Sequence, residues 1–165
     1  MTDNYIQVGK GDLLTIGIRT EDGVDTGEKL VFDLEDVELP LKCQEIVEKN
    51  KKNKEWFTNQ IKQIQSRQDI KGKKLLTKNE EDYVKAVKEF VDREVEVFNM
   101  FLGENGVQKL LNGRKPGVES LLEVEKIIVE QIQPMLDVKM DVIMEKMKTK
   151  YGKKDEAEIE EIKWN

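Results

Sequence analysis

The spacing of apolar side chains changes near Pro40. Before Pro40, Leu30, Phe32 and Leu34 alternate with other residues, which is typical of a β-strand with one buried face. After Pro40, apolar residues recur every three or four positions as far as about Tyr151, which indicates helices. A chain of 165 residues can enclose one substantial core. The predicted fold class is therefore α+β and mainly α: an N-terminal β-hairpin followed by a bundle of three to five helices.

The hairpin is predicted over residues 12–34. Two short runs of strand-forming residues, Leu13–Ile18 and Lys29–Leu34, flank the glycine-containing turn segment Thr20–Glu28. An isolated hairpin is only marginally stable in water, so it must pack on helices or pair with another chain. Pairing with another chain would make the alternating side chains a candidate partner-binding set. The members of this set are Leu30, Phe32 and Leu34.

Local signals place the boundaries of the helices. Pro40 suits the first turn of a helix, where its missing N–H leaves no hydrogen bond unmade. The run from Thr77 to Glu80 has the spacing of a capping box and predicts a helix start. Gly103 predicts the end of that helix. The pair Asn112 and Gly113 predicts the end of a short helix that follows.

The last helical stretch contains Pro134, which removes one hydrogen bond and clashes with the carbonyl of Glu130. We expect a kink or a break there. The predicted organisation is a single domain over residues 1–152, with a helical body over 39–151 and an acidic C-terminal tail over 153–165. Within that tail, Ile159, Ile162 and Trp164 are a candidate docking set, although a solvated tail is the simpler interpretation.

Reactive side chains are scarce in this sequence. The chain contains no histidine, which is the usual general base and a common metal ligand, and its one cysteine is Cys43. We therefore expect a protein that is not an enzyme and that uses no cofactor and no metal. The formal net charge of −6 disfavours nucleic acid and anionic membranes as main partners. No apolar run approaches the roughly 20 residues of a membrane span, and residues 1–11 lack a signal-peptide core, so a cytoplasmic location is expected.

Two basic patches leave a nucleic-acid interpretation open. The first lies beside Trp56 and Phe57, whose rings could stack on bases, and the second lies in a predicted loop. The lysines concerned are Lys49, Lys51, Lys52 and Lys54 in the first patch and Lys71, Lys73 and Lys74 in the second. The alternative, which we favour, is that these lysines form solvated surface and that Phe57 faces the core.

Four of the six methionines lie in the last helical stretch. Methionine fills irregular contacts and is favoured on adaptable binding surfaces. The four are a candidate partner-binding set, with ordinary core packing as the alternative. They are Met135, Met140, Met144 and Met147.

The layout resembles that of small tail proteins of long-tailed bacteriophages and prophages, above all their tail assembly chaperones. The resemblance rests on a hairpin, then the junction Val31–Pro40 (VFDLEDVELP), a charged helical body, and the stretch Leu102–Gly106 (LGENG). It implies a non-enzymatic protein of the bacterial host cytoplasm. Such a protein binds the tape-measure protein, keeps its apolar helices soluble, recruits tail-tube subunits and tends to form homo-oligomers.

Two other functions remain open from the sequence. One is a structural or connector component of a phage particle, which would be found in the finished particle. The other is a nucleic-acid-binding regulatory protein that uses the two basic patches.

Overall fold

A computed structural model of the chain describes residues 4–9 and 11–152, so the predicted tail and its docking set lie outside the described residues. The described elements confirm the α+β, mainly α fold class, with a two-stranded sheet and five α-helices. The strands are β1 (Leu13–Arg19) and β2 (Asp25–Asp33). The helices are α1 (Leu39–Ser66), α2 (Lys78–Leu102), α3 (Gly106–Leu111), α4 (Val118–Ile127) and α5 (Gln133–Met147), with π-helical segments at Ile128–Ile132 and Lys148–Gly152.

The chain divides into two compact units, an N-terminal unit over Met1–Glu125 and a C-terminal unit over Lys126–Asn165. The sequence indicated a single domain over residues 1–152. Within the C-terminal unit, α5 contacts the π-helical segments on either side of it. No helix among residues 4–9 and 11–152 combines the length and the apolar character needed to cross a membrane.

The predicted hairpin is present, and its two strands pair antiparallel with Leu14 opposite Phe32 and Ile16 opposite Leu30. The turn is shorter than predicted, because β2 already begins at Asp25. The hydroxyl of Thr26 donates a hydrogen bond to the carbonyl of Ile18 at 2.9 Å, which holds this early part of β2 against β1 beside an irregularity in the register.

Helices α1 and α2 form an antiparallel pair in the N-terminal unit. The rings of Phe57 and Phe90 stack with their centroids 4.6 Å apart near the middle of the pair. Near the connecting loop, Arg67 and Asp82 form an ion pair at 2.8 Å. The side chain of Asn79 also donates a hydrogen bond to the carbonyl of Ile64 at 3.2 Å, so the first turn of α2 satisfies a carbonyl at the end of α1.

The predicted capping box begins α2. Thr77 Oγ1 accepts a hydrogen bond from the backbone N–H of Glu80 at 3.2 Å, and Glu80 Oε2 accepts one from the N–H of Thr77 at 3.1 Å. Helix α2 ends at Leu102, where Gly103 follows with a positive φ of 93°. The predicted boundaries of α2 are therefore confirmed.

A tight turn joins α2 to α3 and positions both against the hairpin. Asn99 Oδ1 accepts a hydrogen bond from the N–H of Val107 at 2.9 Å across this turn. The rings of Phe32 and Phe101 lie 5.2 Å apart, and Lys109 Nζ donates to the carbonyl of Lys29 at 3.2 Å. The sheet thus packs on the end of α2 and on α3, and its inner face belongs to the core of the N-terminal unit.

Near Pro134, where the sequence predicted a kink or a break, the helix is not broken, and the π-helical segment Ile128–Ile132 leads directly into α5. Pro134 lacks the N–H that the carbonyl of Glu130 would otherwise accept. A π-helical turn widens the helix by one residue and bonds each carbonyl one position further along the chain. Ile132 and Gln133 keep helical backbone angles, so the chain changes its pitch at this point without leaving the helical conformation.

Candidate functional site

The hairpin side chains proposed as a partner-binding set are buried. Leu30, Phe32 and Leu34 are 1%, 3% and 3% exposed. Their burial corrects the prediction, because side chains already enclosed in the N-terminal unit offer no surface to another protein. The physical reason is the contact of the sheet with α2 and α3, illustrated by the ring pair of Phe32 and Phe101. Of the two outcomes open for the hairpin, packing on helices is the one observed.

The four methionines of the other predicted set all lie on α5, and three of them are well exposed. Met135, Met144 and Met147 are 45%, 48% and 50% exposed, and Met140 is half-buried. Successive residues of an α-helix are about 100° apart around its axis. Met140, Met144 and Met147 therefore share one side of α5, whereas Met135 lies on the opposite side. The structure brings together three of the four.

Helix α5 carries exposed apolar side chains on two opposite sides. We call one side the methionine face (Met140, Met144 and Met147) and the other the valine face (Met135, Val138 and Val142). Val138 and Val142 are 63% and 48% exposed. Exposed charged residues, among them Asp141 and Lys139, separate the two faces, so α5 is not apolar around its whole circumference. Here both faces are open over much of their area, which makes α5 the candidate binding surface.

The sequence offered a signal for the valine face that the methionine count missed. Met135, Val138 and Val142 are spaced three and four residues apart, which is the spacing of a single helical stripe. The apolar stripe ends there, because the next positions of that spacing are Glu145 and Lys146, which lie with Val142 beside a shallow surface depression. Met135 was grouped with the other methionines by residue type, but its position around the axis of α5 places it on the opposite side of the helix.

Three of the seven lysines in the basic patches are paired with carboxylates. Lys49 lies 2.9 Å from Glu45, Lys54 lies 3.0 Å from Glu125, and Lys74 lies 3.7 Å from Glu81. The other four are exposed; they are Lys51, Lys52, Lys71 and Lys73. The first patch lies on α1, about 18 Å of helix before its end, whereas the second lies in the segment between α1 and α2, so the two patches do not form one continuous run along a helix.

The aromatic residues beside the first patch are already engaged. The guanidinium of Arg93 lies 4.0 Å from the centre of the Trp56 ring, and Phe57 stacks on Phe90 in the interface between α1 and α2. Arg93 thus covers one face of the Trp56 ring. Of the two rings, Phe57 is engaged within the helix pair, and Trp56 is engaged on one face by Arg93.

Glu94 is a buried carboxylate that the sequence analysis did not single out. It is 2% exposed and lies between α1 and α2. Its Oε1 accepts a hydrogen bond from Asn53 Nδ2 at 3.1 Å. When the Asn50 amide is turned so that its nitrogen faces Glu94, this nitrogen lies 2.7 Å from Oε2. The signal was present in the sequence, since Glu94 stands midway between Phe90 and Phe98 on the apolar stripe of α2.

The surroundings of Glu94 point to a structural role. Burial raises the pKa of this carboxyl, and the nearby Glu125 adds to that effect, whereas Asn53 and Lys54 oppose it. Both carboxylate oxygens face side-chain amides from α1, so the group is enclosed in the helix pair. Buried polar groups of this kind fix the register of packed helices when their hydrogen bonds are complete.

No group of three or more potential metal-binding side chains occurs among the residues that the structure describes. Comparison of the chain with protein-family models, with curated proteins and with solved structures gave no match. The candidate site is therefore defined by geometry alone: an exposed methionine face and an exposed valine face on α5.

Proposed function

We propose that the protein is a non-enzymatic, protein-binding assembly factor that covers apolar helices of a partner with the methionine face of α5. On the resemblance described above, we identify this role with that of a phage tail assembly chaperone. In that role it shields the tape-measure protein and recruits tail-tube subunits in the bacterial host cytoplasm. The observation that carries the proposal is the exposure of Met144 and Met147 beside the half-buried Met140.

Methionine suits a surface that must accept many related helices. Its side chain is unbranched and polarizable, so it adapts to irregular apolar partners. Full burial of one methionine side chain contributes about 1.5–3 kcal/mol. Because Met144 and Met147 are about half exposed, covering them adds about 1.5–3 kcal/mol in total. A contact of that size is weak and reversible, as required of a factor that must release its partner during assembly.

The charge of the chain supports the same role. A net charge of −6 would keep a complex with an apolar partner soluble through repulsion between complexes. Dense charge also covers the exposed sides of α1 and α2, where several ion pairs link residues four positions apart, for example Lys88 with Asp92. Solvated helices of this type resist aggregation while α5 holds an apolar partner.

The test is suppression of aggregation. The full chain is mixed with a purified helical fragment of a tape-measure protein, and light scattering is followed over time. The wild type should keep the fragment in solution, whereas the double variant Met144→Gln and Met147→Gln should lose most of this effect. Met100→Gln is the matched control, because Met100 is 44% exposed but lies on α2. Precipitation of the fragment at the same rate with and without the wild-type chain would refute the proposal.

A second measurement separates the chaperone from a component of the particle. A chaperone should be absent from purified phage particles, and its presence there in fixed proportion to tail subunits would favour the connector function. Nucleic-acid binding is tested by titrating the chain with a labelled oligonucleotide at low salt. The charge-reversed variant Lys51→Glu and Lys52→Glu serves as a comparison, since only true binding through this patch would weaken in it.

A further inference from the structure

The segment between α1 and α2 is closed at its base by two hydrogen bonds. The N–H of Lys78 donates to the carbonyl of Ile70 at 3.0 Å, and the N–H of Asn79 donates to Asp69 Oδ1 at 3.0 Å. These bonds join the two sides of the segment where the helix pair ends. Residues 70–78 therefore form a closed loop at this end of the pair, which we call the basic loop.

The basic loop exposes three apolar side chains to water. Leu75 is 100% exposed, Ile70 is 69% exposed and Leu76 is 40% exposed. Leu76 also lies beside a shallow depression that is lined by Tyr83 and Val84, two exposed residues of α2. Clustered apolar side chains on a surface mark a site of contact with a partner.

The same loop carries a concentrated positive charge. Residues 70–78 contain four lysines and no acidic residue. Within the described part of the chain, Lys71 and Lys73 form no ion pair. Lys74 lies 3.7 Å from Glu81, but its side chain remains 79% exposed. The loop thus presents positive charge and apolar surface at one place.

The size and composition of the basic loop decide between classes of partner. A specific protein interface typically involves about 20–30 residues on each side, whereas the loop has nine. Residues 70–78 include no aromatic ring on which a base could stack. An anionic lipid bilayer requires neither, because its headgroups attract lysines and its interface accepts apolar side chains of any shape. The net charge of −6 opposes this contact only weakly, because charges farther away than about 8 Å are screened at physiological ionic strength.

We propose that the basic loop binds the surface of membranes that contain anionic phospholipids. Ile70 and Leu75 enter the boundary between headgroups and acyl chains, and Lys71 and Lys73 contact the lipid phosphates. The contact is peripheral and reversible, because it uses only a few side chains. It goes beyond the proposed function, since the methionine face of α5 takes no part in it.

The first test is sedimentation of the full chain with lipid vesicles at low salt, without a tape-measure fragment. The chain should bind vesicles made of equal parts of phosphatidylcholine and phosphatidylglycerol, and binding to phosphatidylcholine alone should be much weaker. Leu75→Ser should weaken binding by about tenfold. The double variant Lys71→Gln and Lys73→Gln should weaken it by about 30-fold.

Matched controls come from α1. Leu41 is 66% exposed, and Lys51 and Lys52 are exposed lysines of the first patch. Leu41→Ser, and the double variant Lys51→Gln and Lys52→Gln, should bind vesicles as the wild type does. Absence of binding to the anionic vesicles, or an equal loss in these controls, would overturn the proposal. Binding of a labelled oligonucleotide through Lys71 and Lys73 without binding of vesicles would also overturn it and assign the loop to nucleic acid.

The second test reports which part of the chain enters the lipid. In a background in which Cys43 is replaced by serine, Leu75→Cys is labelled with an environment-sensitive dye, and its emission should shift to the blue when anionic vesicles are added. The same label at Leu41→Cys should not respond. The double variant Met144→Gln and Met147→Gln should bind vesicles as the wild type does. Loss of binding in this variant would assign the lipid contact to α5 and overturn the proposal, whereas failure of the aggregation test leaves the vesicle measurements unaffected.

Discussion

Asn53 of α1 donates a hydrogen bond at 3.1 Å to Glu94 of α2, at a point where both neighbours of Glu94 on the same stripe, Phe90 and Phe98, are buried. A carboxylate in that position costs free energy when it is charged. Burial accordingly raises the pKa of Glu94 above its ordinary value of 4.5. The folded chain thus holds the proton of this group more tightly than the unfolded chain does.

This difference makes the stability of the protein depend on pH. The stabilising contribution of the protonated group is fully present below about pH 4.5 and is lost as pH rises through the pKa of the folded state. Glu94→Gln is neutral throughout, so the free energy of unfolding of this variant relative to wild type should increase from pH 4 to pH 8. Urea denaturation at several pH values measures it.

Glu96→Gln is the matched control for that experiment, because Glu96 is exposed on the same helix. The difference in free energy of unfolding between Glu96→Gln and the wild type should change less with pH than that of Glu94→Gln. If the difference in free energy of unfolding between Glu94→Gln and the wild type is the same at every pH, the inference that burial raises the pKa of Glu94 is wrong.

The capping box at the start of α2 provides a second prediction. Thr77→Ala removes the hydroxyl that accepts the N–H of Glu80, and it should lower the free energy of unfolding by about 1 kcal/mol. Thr58→Ala is the control, since Thr58 is exposed in the middle of α1 and alanine is a better helix former. Equal destabilisation by the two substitutions would contradict a capping role for Thr77.

The turn between α2 and α3 leaves no room for a side chain at position 106. A Cβ atom on Gly106 would overlap the Cβ atom of Leu102, which is itself buried. Gly106→Ala should therefore destabilise the chain by about 1–3 kcal/mol, measured by thermal or urea unfolding. Gly72→Ala is the control, because nothing lies within 4 Å of a Cβ atom there. Unchanged stability of Gly106→Ala would show that the turn rearranges at little cost.

The corrected role of the hairpin can be tested through Phe32. Phe32 is a core residue in contact with Phe101, so Phe32→Ala should lower the free energy of unfolding by about 3–5 kcal/mol. The neighbouring Val31 is 52% exposed, and its replacement by alanine should cost less than about 1 kcal/mol. Were Phe32 a binding residue only, Phe32→Ala would leave the unfolding midpoint in place and weaken partner binding instead.

Local signals in the sequence predicted the local structure well. The capping box at Thr77, the end of α2 at Gly103 and the end of α3 at Asn112 all depend on backbone chemistry within a few residues. Such chemistry is readable from neighbours in the chain. The strand positions were likewise predicted, although β2 begins earlier than expected because Thr26 contacts Ile18 across the hairpin.

Features that depend on distant segments were not predicted. Alternation showed that Leu30 and Phe32 share one face of a strand, but not that this face packs on the end of α2. Glu94 was overlooked because its amide partners stand about forty residues earlier, on α1. The exposure of Met144 and Met147 was open to two interpretations, since helical spacing is the same for a core face and for a binding face.

The contacts between α1 and α2 follow a simple order along the chain. Nearest the connecting loop, Asn79 contacts the carbonyl of Ile64, 15 residues earlier in the chain. Farther along, Glu94 contacts Asn53, 41 residues earlier. Farthest from the loop, Met100 contacts Lys49, 51 residues earlier. Once an inner contact has formed, the next one only has to order the residues added on either side of it, which costs less entropy than closing the whole loop at once. The two helices can therefore assemble progressively from their connecting loop outward. Such a route favours rapid folding, and the helix pair could form while the ribosome is still making the rest of the chain.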